Sequence, residues 1–213
     1  MSTLGPAYID ITWGAGGSTA ERTLGMSKTI QKYFGLDVMM HLTCTNMPKD
    51  SIKQVLLDSK ENNISNILAL RGDPPEGTSR WENNDSEFNN GIDLVKYIRN
   101  EFGDAFFIGV GGYPETHQEQ KDSDLDISFL KQKVDAGADI IVTQLFYDVE
   151  KFLLFRDKCF SAGINVPIVP GIMPIHNYAR FIKFTQFCKV NIPSSVSKEL
   201  ESIKNDDSSV IEY

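Results

Sequence analysis

The chain has 213 residues, 41% of them hydrophobic and 23% charged, which suffices for one sizeable core and is short for two, so a single domain spanning residues 1–213 is expected. Its formal net charge of -8 and a pI near 4.9 give a field that repels nucleic acid and anionic membrane, so an anionic ligand needs locally placed Lys, Arg or backbone N–H groups. Three scattered cysteines, Cys44, Cys159 and Cys188, form no zinc-spaced cluster, and the chain has neither a secretory leader nor a run of about 18 apolar residues, so a cytoplasmic protein without a structural metal or membrane partner is expected.

Strand and helix alternate along the chain. Tyr8-Ile9-Asp10-Ile11-Thr12-Trp13 reads as a strand, followed by Gly14-Ala15-Gly16-Gly17-Ser18 and a helix from Thr19 or Ala20 to about Tyr33. Val38 to Thr43 is the second strand, and after Pro48 the residues Ile52, Val55, Leu56 and Ser59 recur at helical spacing. Asn66-Ile67-Leu68-Ala69-Leu70 is the third and runs straight into Arg71-Gly72-Asp73-Pro74-Pro75; Ile92, Val95 and Ile98 mark its helix. Phe106 to Val110 is the fourth, with a helix from about Ile127 to Ala136 that Gly137 ends. Ile140 to Phe146 is the fifth, followed by a helix from Val149 to Ala162 that Gly163 stops. Val166 to Ile172 is the sixth, Asn177 caps a helix through Phe187, and the chain closes on Ser197 to Ile203 and an acidic tail, Asp206-Asp207, with no strand after it.

Near-continuous apolar strands separated by amphipathic helices imply parallel pairing with right-handed crossovers. A strand-to-strand spacing of roughly 30 residues favours a (βα)8 TIM barrel of the α/β class, of which about six units are present. Chemistry in such a fold sits at the carboxyl-terminal strand ends, where this chain repeatedly places polar or glycine-rich clusters. Two long segments begin at strand ends, Pro74 to Asn89 and Pro114 to Asp124, and loops of that length commonly bind or cover ligands.

Several clusters carry two readings. Gly14-Ala15-Gly16-Gly17 is a tight turn or a phosphate loop, although Thr19 stands where a dinucleotide fingerprint needs its third glycine and no Walker lysine follows. His41 is either a satisfied core histidine or a strand-end ligand. Tyr113-Pro114-Glu115-Thr116-His117 is a proline turn or a ring, carboxylate and imidazole set. Gln144, ending an apolar run, needs partners from core or ligand, since an unpaired buried amide costs about 1–3 kcal/mol. Asp126 and Lys133, seven apart, share a helical face, and Phe181 and Phe184 read as core contacts.

Taken together, Tyr8-Ile9-Asp10-Ile11-Thr12-Trp13, His41-Leu42-Thr43-Cys44, Asn66 to Pro74, Gly112-Tyr113-Pro114-Glu115 with His117, Asp135-Ala136-Gly137-Ala138, Thr143-Gln144-Leu145-Phe146 and Val169-Pro170-Gly171-Ile172 resemble the catalytic domain of the methylenetetrahydrofolate reductases. The resemblance implies a βα barrel that binds FAD at its strand ends and reduces 5,10-methylenetetrahydrofolate to 5-methyltetrahydrofolate with NADPH or NADH, supplying methyl groups for methionine synthesis. It implies FAD contacts from Thr12, Trp13, His41, Arg71, Gly72, Asp73, Asn90, Gly91, Tyr113, His117, Asp126 and Lys133. Arg71 and Lys133 would supply positive charge for the pyrophosphate. Asp73 would act beside flavin and pterin, and Gln144 would hold nicotinamide and folate in alternate half-reactions. Arg180 and Phe184 fall at folate-contact positions, and family members commonly form homo-oligomers.

The resemblance also implies differences. The family's general acid is a glutamate on the first barrel strand, and the chain is expected to open at the second strand and to lack the last, leaving Glu115 as the nearest acidic candidate. Open edges at Tyr8 to Trp13 and Val166 to Ile172 would then favour association and little turnover. Asn90, Gly91 and Gln132 depart from residue types frequent in the family. The alternatives are a catalytically inactive FAD- or folate-binding fragment and a non-redox βα-barrel enzyme.

Overall fold

The computed structural model describes residues 2–13, 20–45, 47–72, 87–117, 120 and 122–213. Gly14-Ala15-Gly16-Gly17 and Asp73, with most of the segment after it, lie outside the described residues. The elements are β1 (Ile9–Ile11), α1 (Ala20–Phe34), β2 (Val38–Thr43), α2 (Lys49–Glu61), β3 (Asn66–Leu70), α3 (Gly91–Phe102), β4 (Phe107–Gly112), α4 (Ser123–Asp135), β5 (Ile140–Thr143), α5 (Val149–Ser161), β6 (Ile168–Val169), α6 (Tyr178–Cys188), α7 (Ser194–Ile203) and α8 (Asp207–Glu212). The strands form one sheet in the order β1-β2-β3-β4-β5-β6, the alternation of an incomplete (βα)8 barrel. No helix among the described residues is long and apolar enough to cross a membrane.

The chain divides into two compact units, Met1–Gly111 with Gln132–Ile141, and Gly112–Lys131 with Val142–Tyr213. In the first, β1 to β4 pair in parallel, with Ile11 opposite Met40, Met40 opposite Ile67 and Ile67 opposite Ile108. A parallel strand covered on both faces must be apolar on both, and β2 is buried at every position except His41. The helices bury one stripe each, Ile52, Leu56 and Ser59 on α2 and Leu94, Val95 and Ile98 on α3. Arg99 on α3 closes this unit. Its guanidinium donates to the carbonyls of Gly137, Gly103 and Phe106 and pairs with Asp139 at 2.5 Å, while Asp139 also accepts from the Ile108 N–H at 2.7 Å. One side chain thereby satisfies carbonyls that no helix or ladder would reach.

In the second unit Phe181, Leu200 and Val210 form a buried cluster, with Tyr147, Ile182 and Val196 packed around it. Asn177 caps α6 by accepting from the Arg180 N–H, as the sequence predicts. Asp206 caps α8 by accepting from the Ser208 N–H, so the expected acidic tail is a helix start, and Val210 on that helix reaches the core.

Several predicted boundaries move: β1 is confined to Ile9–Ile11, which leaves Thr12 and Trp13 past its end, and β4 runs on to Gly112. β5 ends at Thr143 instead of Phe146; past its end Phe146 is buried and stacks on Phe152 of α5, with ring centroids 4.7 Å apart. β6 shrinks to Ile168–Val169, consistent with Pro167 and Pro170, which have no N–H to give a ladder. α4 begins four residues earlier than predicted, where Asp122 accepts from the Asp124 and Leu125 N–H groups.

Candidate functional site

In the first unit β1, β2 and β3 are neighbours running the same way, so their carboxyl ends lie on one side of the sheet. Thr12 and Trp13 follow β1. The Thr12 carbonyl accepts from Thr23 Oγ1 at 2.9 Å, its side chain is exposed, and Trp13 is buried at 8% exposure. Trp13 Nε1 is buried with no hydrogen-bond partner among the described residues. His41 is half-buried on β2 with its Nε2 3.3 Å from Asp10 Oδ1, a contact that fits either of its two readings.

Arg71 and Gly72 follow β3. The Arg71 carbonyl is held by the Thr45 N–H at 3.1 Å and by Thr45 Oγ1 at 2.7 Å. Gly72 has φ 98°, and a Cβ there would lie 3.0 Å from Thr43 Cβ, so both conformation and space call for glycine. Asn90 and Gly91 begin α3. Asn90 is committed locally, accepting from the Ile92 and Asp93 N–H groups while Asp93 returns a bond to the Asn90 N–H. Lys133 on α4 donates to the Gly111 carbonyl at 3.2 Å. Burial pushes the Cys44 thiol up to about 12, with Asp93 adding to it, so Cys44 is an inert core thiol.

In the second unit the loop after β4 carries Tyr113, Glu115, Thr116 and His117. The Tyr113 and His117 rings meet edge to face, 4.6 Å between centroids. The His117 N–H donates to Asp126 Oδ2 at 3.1 Å, which ties the loop to α4. Thr116 has φ 69°, an uncommon conformation for a β-branched residue. A pocket of about 200 Å3 opens here, lined in part by Tyr113, Glu115, Thr116, Asp126, Lys151 and Lys158.

Gln144 corrects the sequence reading. With β5 ending at Thr143, Gln144 is exposed, and its backbone N–H bonds to the Gly112 carbonyl at 2.7 Å. Water can satisfy its side-chain amide, so the cost of a buried orphan does not arise. Beside it, Gly171 meets Thr143: its N–H donates to Thr143 Oγ1 at 2.9 Å, and a Cβ would lie 2.3 Å from the Thr143 carbonyl oxygen. The Pro-Gly-Ile motif therefore has a steric reason.

On α6, Arg180 is exposed and Phe184 is half-buried. Of the two phenylalanines expected in the core, Phe181 is 2% exposed and belongs to the buried cluster, whereas Phe184 is outside it. Sequence reasoning passed over Thr45, Lys151 and Asn191. Thr45 had a signal, a hydroxyl two residues past a strand. Lys151 and the Asn191 N–H had none, because what they meet is Glu115, 36 and 76 residues away.

The family model described as Methylenetetrahydrofolate reductase matches residues 1–213. The chain is 49% identical to "Methylenetetrahydrofolate reductase (NADH) 1" of Arabidopsis thaliana, with 100% of this chain and 38% of that protein covered. It is 39% identical to the "5,10-methylenetetrahydrofolate reductase" of Escherichia coli (strain K12), with 97% of this chain and 67% of that protein covered. The chain thus spans 38% of the length of the plant relative. Among solved structures, 2,3-dimethylmalate lyase, a PEP mutase/isocitrate lyase superfamily member, aligns with a TM-score of 0.52 at 10% identity, covering 96% of this chain and 76% of that one, a likeness of fold alone.

Proposed function

The chain belongs to the methylenetetrahydrofolate reductase family, and on that premise we propose that it serves the FAD-dependent reduction of 5,10-methylenetetrahydrofolate to 5-methyltetrahydrofolate by NADH or NADPH. The observation that carries this reading is the set Trp13, His41 and Arg71-Gly72 at or near the carboxyl ends of three adjacent parallel strands. The described residues fit a flavin in one testable respect. Trp13 Nε1 is a buried donor without a partner among them, and an acceptor on a ligand would offset an unmet bond worth about 1–3 kcal/mol. When bound, the flavin supplies hydride transfer between the reduced nicotinamide and the folate.

The chain's own residues then bind and orient. Arg71 and Lys133 bring positive charge to an acidic protein for a pyrophosphate, with Lys133 steadied on the Gly111 carbonyl. Thr12, Gly72, Asn90 and Gly91 offer close backbone approach or polar contacts in the first unit, and Asp10 orients the His41 ring. In the second unit Tyr113, His117 and Asp126 form a braced group of a ring, an imidazole and a carboxylate that offers flavin contacts of its own. The exposed Gln144 amide both donates and accepts, which suits the carboxamide of nicotinamide and the pterin edge in turn. Phe184 offers a ring face and Arg180 a cation to the folate. Asp73, proposed beside the pterin where its charge would bear on hydride transfer, lies outside the described residues.

Residues 1–213 acting as part of one catalytic barrel, homo-oligomerisation, a cytoplasmic setting and the supply of methyl groups to methionine belong to the same proposal. The test is the visible spectrum of the purified chain after free flavin is removed. Retained flavin bands that weaken in Trp13→Phe are expected, and a colourless protein would overturn FAD binding by this chain.

A further inference from the structure

Glu115 follows the Tyr113-Pro114 turn, and its sequence position makes it the nearest acidic candidate for a proton donor. Its surroundings point elsewhere. The side chain is 18% exposed, and each oxygen already accepts a bond: Oε1 lies 3.3 Å from Lys151 Nζ on α5, and Oε2 accepts from the backbone N–H of Asn191, just past α6, at 2.9 Å. The neighbouring Thr116 gives an independent sign of constraint. Its left-handed φ of 69° is strained for a β-branched residue, and such a conformation persists only where its surroundings over-determine it. Here the chain is held on one side by Glu115 and on the other by the His117 N–H bond to Asp126.

We propose that Glu115 is a positioning residue whose carboxylate ties the loop after β4 to α5 and to the segment following α6, and so sets the presentation of Arg180 and Phe184 on α6. The role of those two residues rests on the reductase reading; the tie itself does not. Lys151 stands in the first turn of α5, where its backbone N–H donates to Asp148 Oδ1 at 3.2 Å. Asn191 is the third residue past the end of α6, and Lys189 between them turns the chain through a left-handed φ of 54°. A bond at Asn191 therefore limits how far the end of α6 can fray.

Amide hydrogen exchange on the full chain, with 5-methyltetrahydrofolate titration and bound-flavin content measured beside it, tests this. Glu115→Ala should speed exchange at Asn191 and the last turn of α6 by about tenfold, and Glu115→Gln, which keeps an acceptor, by about threefold. Lys151→Met, which leaves the Asn191 contact, should change it less than about twofold. In Glu115→Ala the affinity for 5-methyltetrahydrofolate should fall about tenfold, with flavin per chain unchanged. Unchanged exchange in Glu115→Ala overturns the tie. Faster exchange with unchanged folate affinity overturns the positioning role, and lost turnover in Glu115→Gln with both other readouts unchanged makes Glu115 a proton donor instead. A wild-type chain that retains no flavin and binds no folate would remove the reductase reading, while the exchange comparison would still decide whether Glu115 orders α6.

Discussion

Each of the two units is stabilised internally by different interactions. Among the described residues, most of the largest fully buried side chains, including Phe106, Met39, Leu42, Ile67, Ile108 and Ile141, belong to the first unit. The second unit has a small cluster of Phe181, Leu200 and Val210, and relies visibly on polar ties: Asn177 and Asp206 as caps, Asn177 to Asp207, Tyr178 to Glu201, Lys158 to Ser123 and Asp124, and Glu115 to Asn191. Buried apolar area carries no charge to titrate or screen, whereas exposed polar ties are individually small, and the charged ones respond to salt and pH. The first unit should therefore be the more cooperative and the second the one that opens locally.

The largest break is expected in the first unit. Ile67→Ala removes a side chain with no exposure between β2 and β4, and should cost about 3–5 kcal/mol in urea unfolding. Arg99→Ala should follow at about 2–4 kcal/mol, since it strands the carbonyls of Gly137 and Phe106 and the Asp139 carboxylate together; Arg99→Lys should recover little, because an ammonium cannot reproduce the fork. In the second unit Asn177→Ala should cost about 1 kcal/mol, read as faster amide exchange in the first turn of α6 with the first unit unchanged.

The smallest effect separates the units by pH. The Ser209 hydroxyl and the Ser208 N–H hold the Asp206 carboxyl below the usual carboxylate range, and Lys158 does the same for Asp124. A lowered folded-state value means that the stabilisation is full above the unfolded value, about 3.9, and is lost as pH falls through the folded one. Exchange in α8 should therefore rise below about pH 4, and Asp206→Asn should flatten that dependence. Thiol titration gives a second contrast of environment. Burial raises Cys159 to about 11 and Cys44 to about 12, so both should react slowly with a thiol reagent at pH 8 until the chain unfolds.

How much of this was legible depended on whether a signal was local. The periodicity of Ile52, Leu56 and Ser59, the unbroken apolar run of β2, and Asn177 ahead of α6 all declare themselves within a few residues, and the structure agrees with each. The end of β5 did not. Leu145 and Phe146 extend an apolar run, but Phe146 packs on Phe152 past the end of the strand, and Gln144 is exposed. Nor did the role of Asn90, whose side chain is spent on the α3 cap.

Sequence by itself determined the α/β class, the parallel order of strands and helices, the family, and the residues that gather at strand ends, because each follows from patterns of period two or 3.6 and from motifs a few residues long. Only the tertiary structure decided which polar groups meet: His41 with Asp10, Arg99 with Gly137 and Asp139, and Glu115 with Lys151 and Asn191. Such pairings join residues 31 to 76 positions apart, and their partners are chosen by how helices pack on the sheet, which no local pattern encodes.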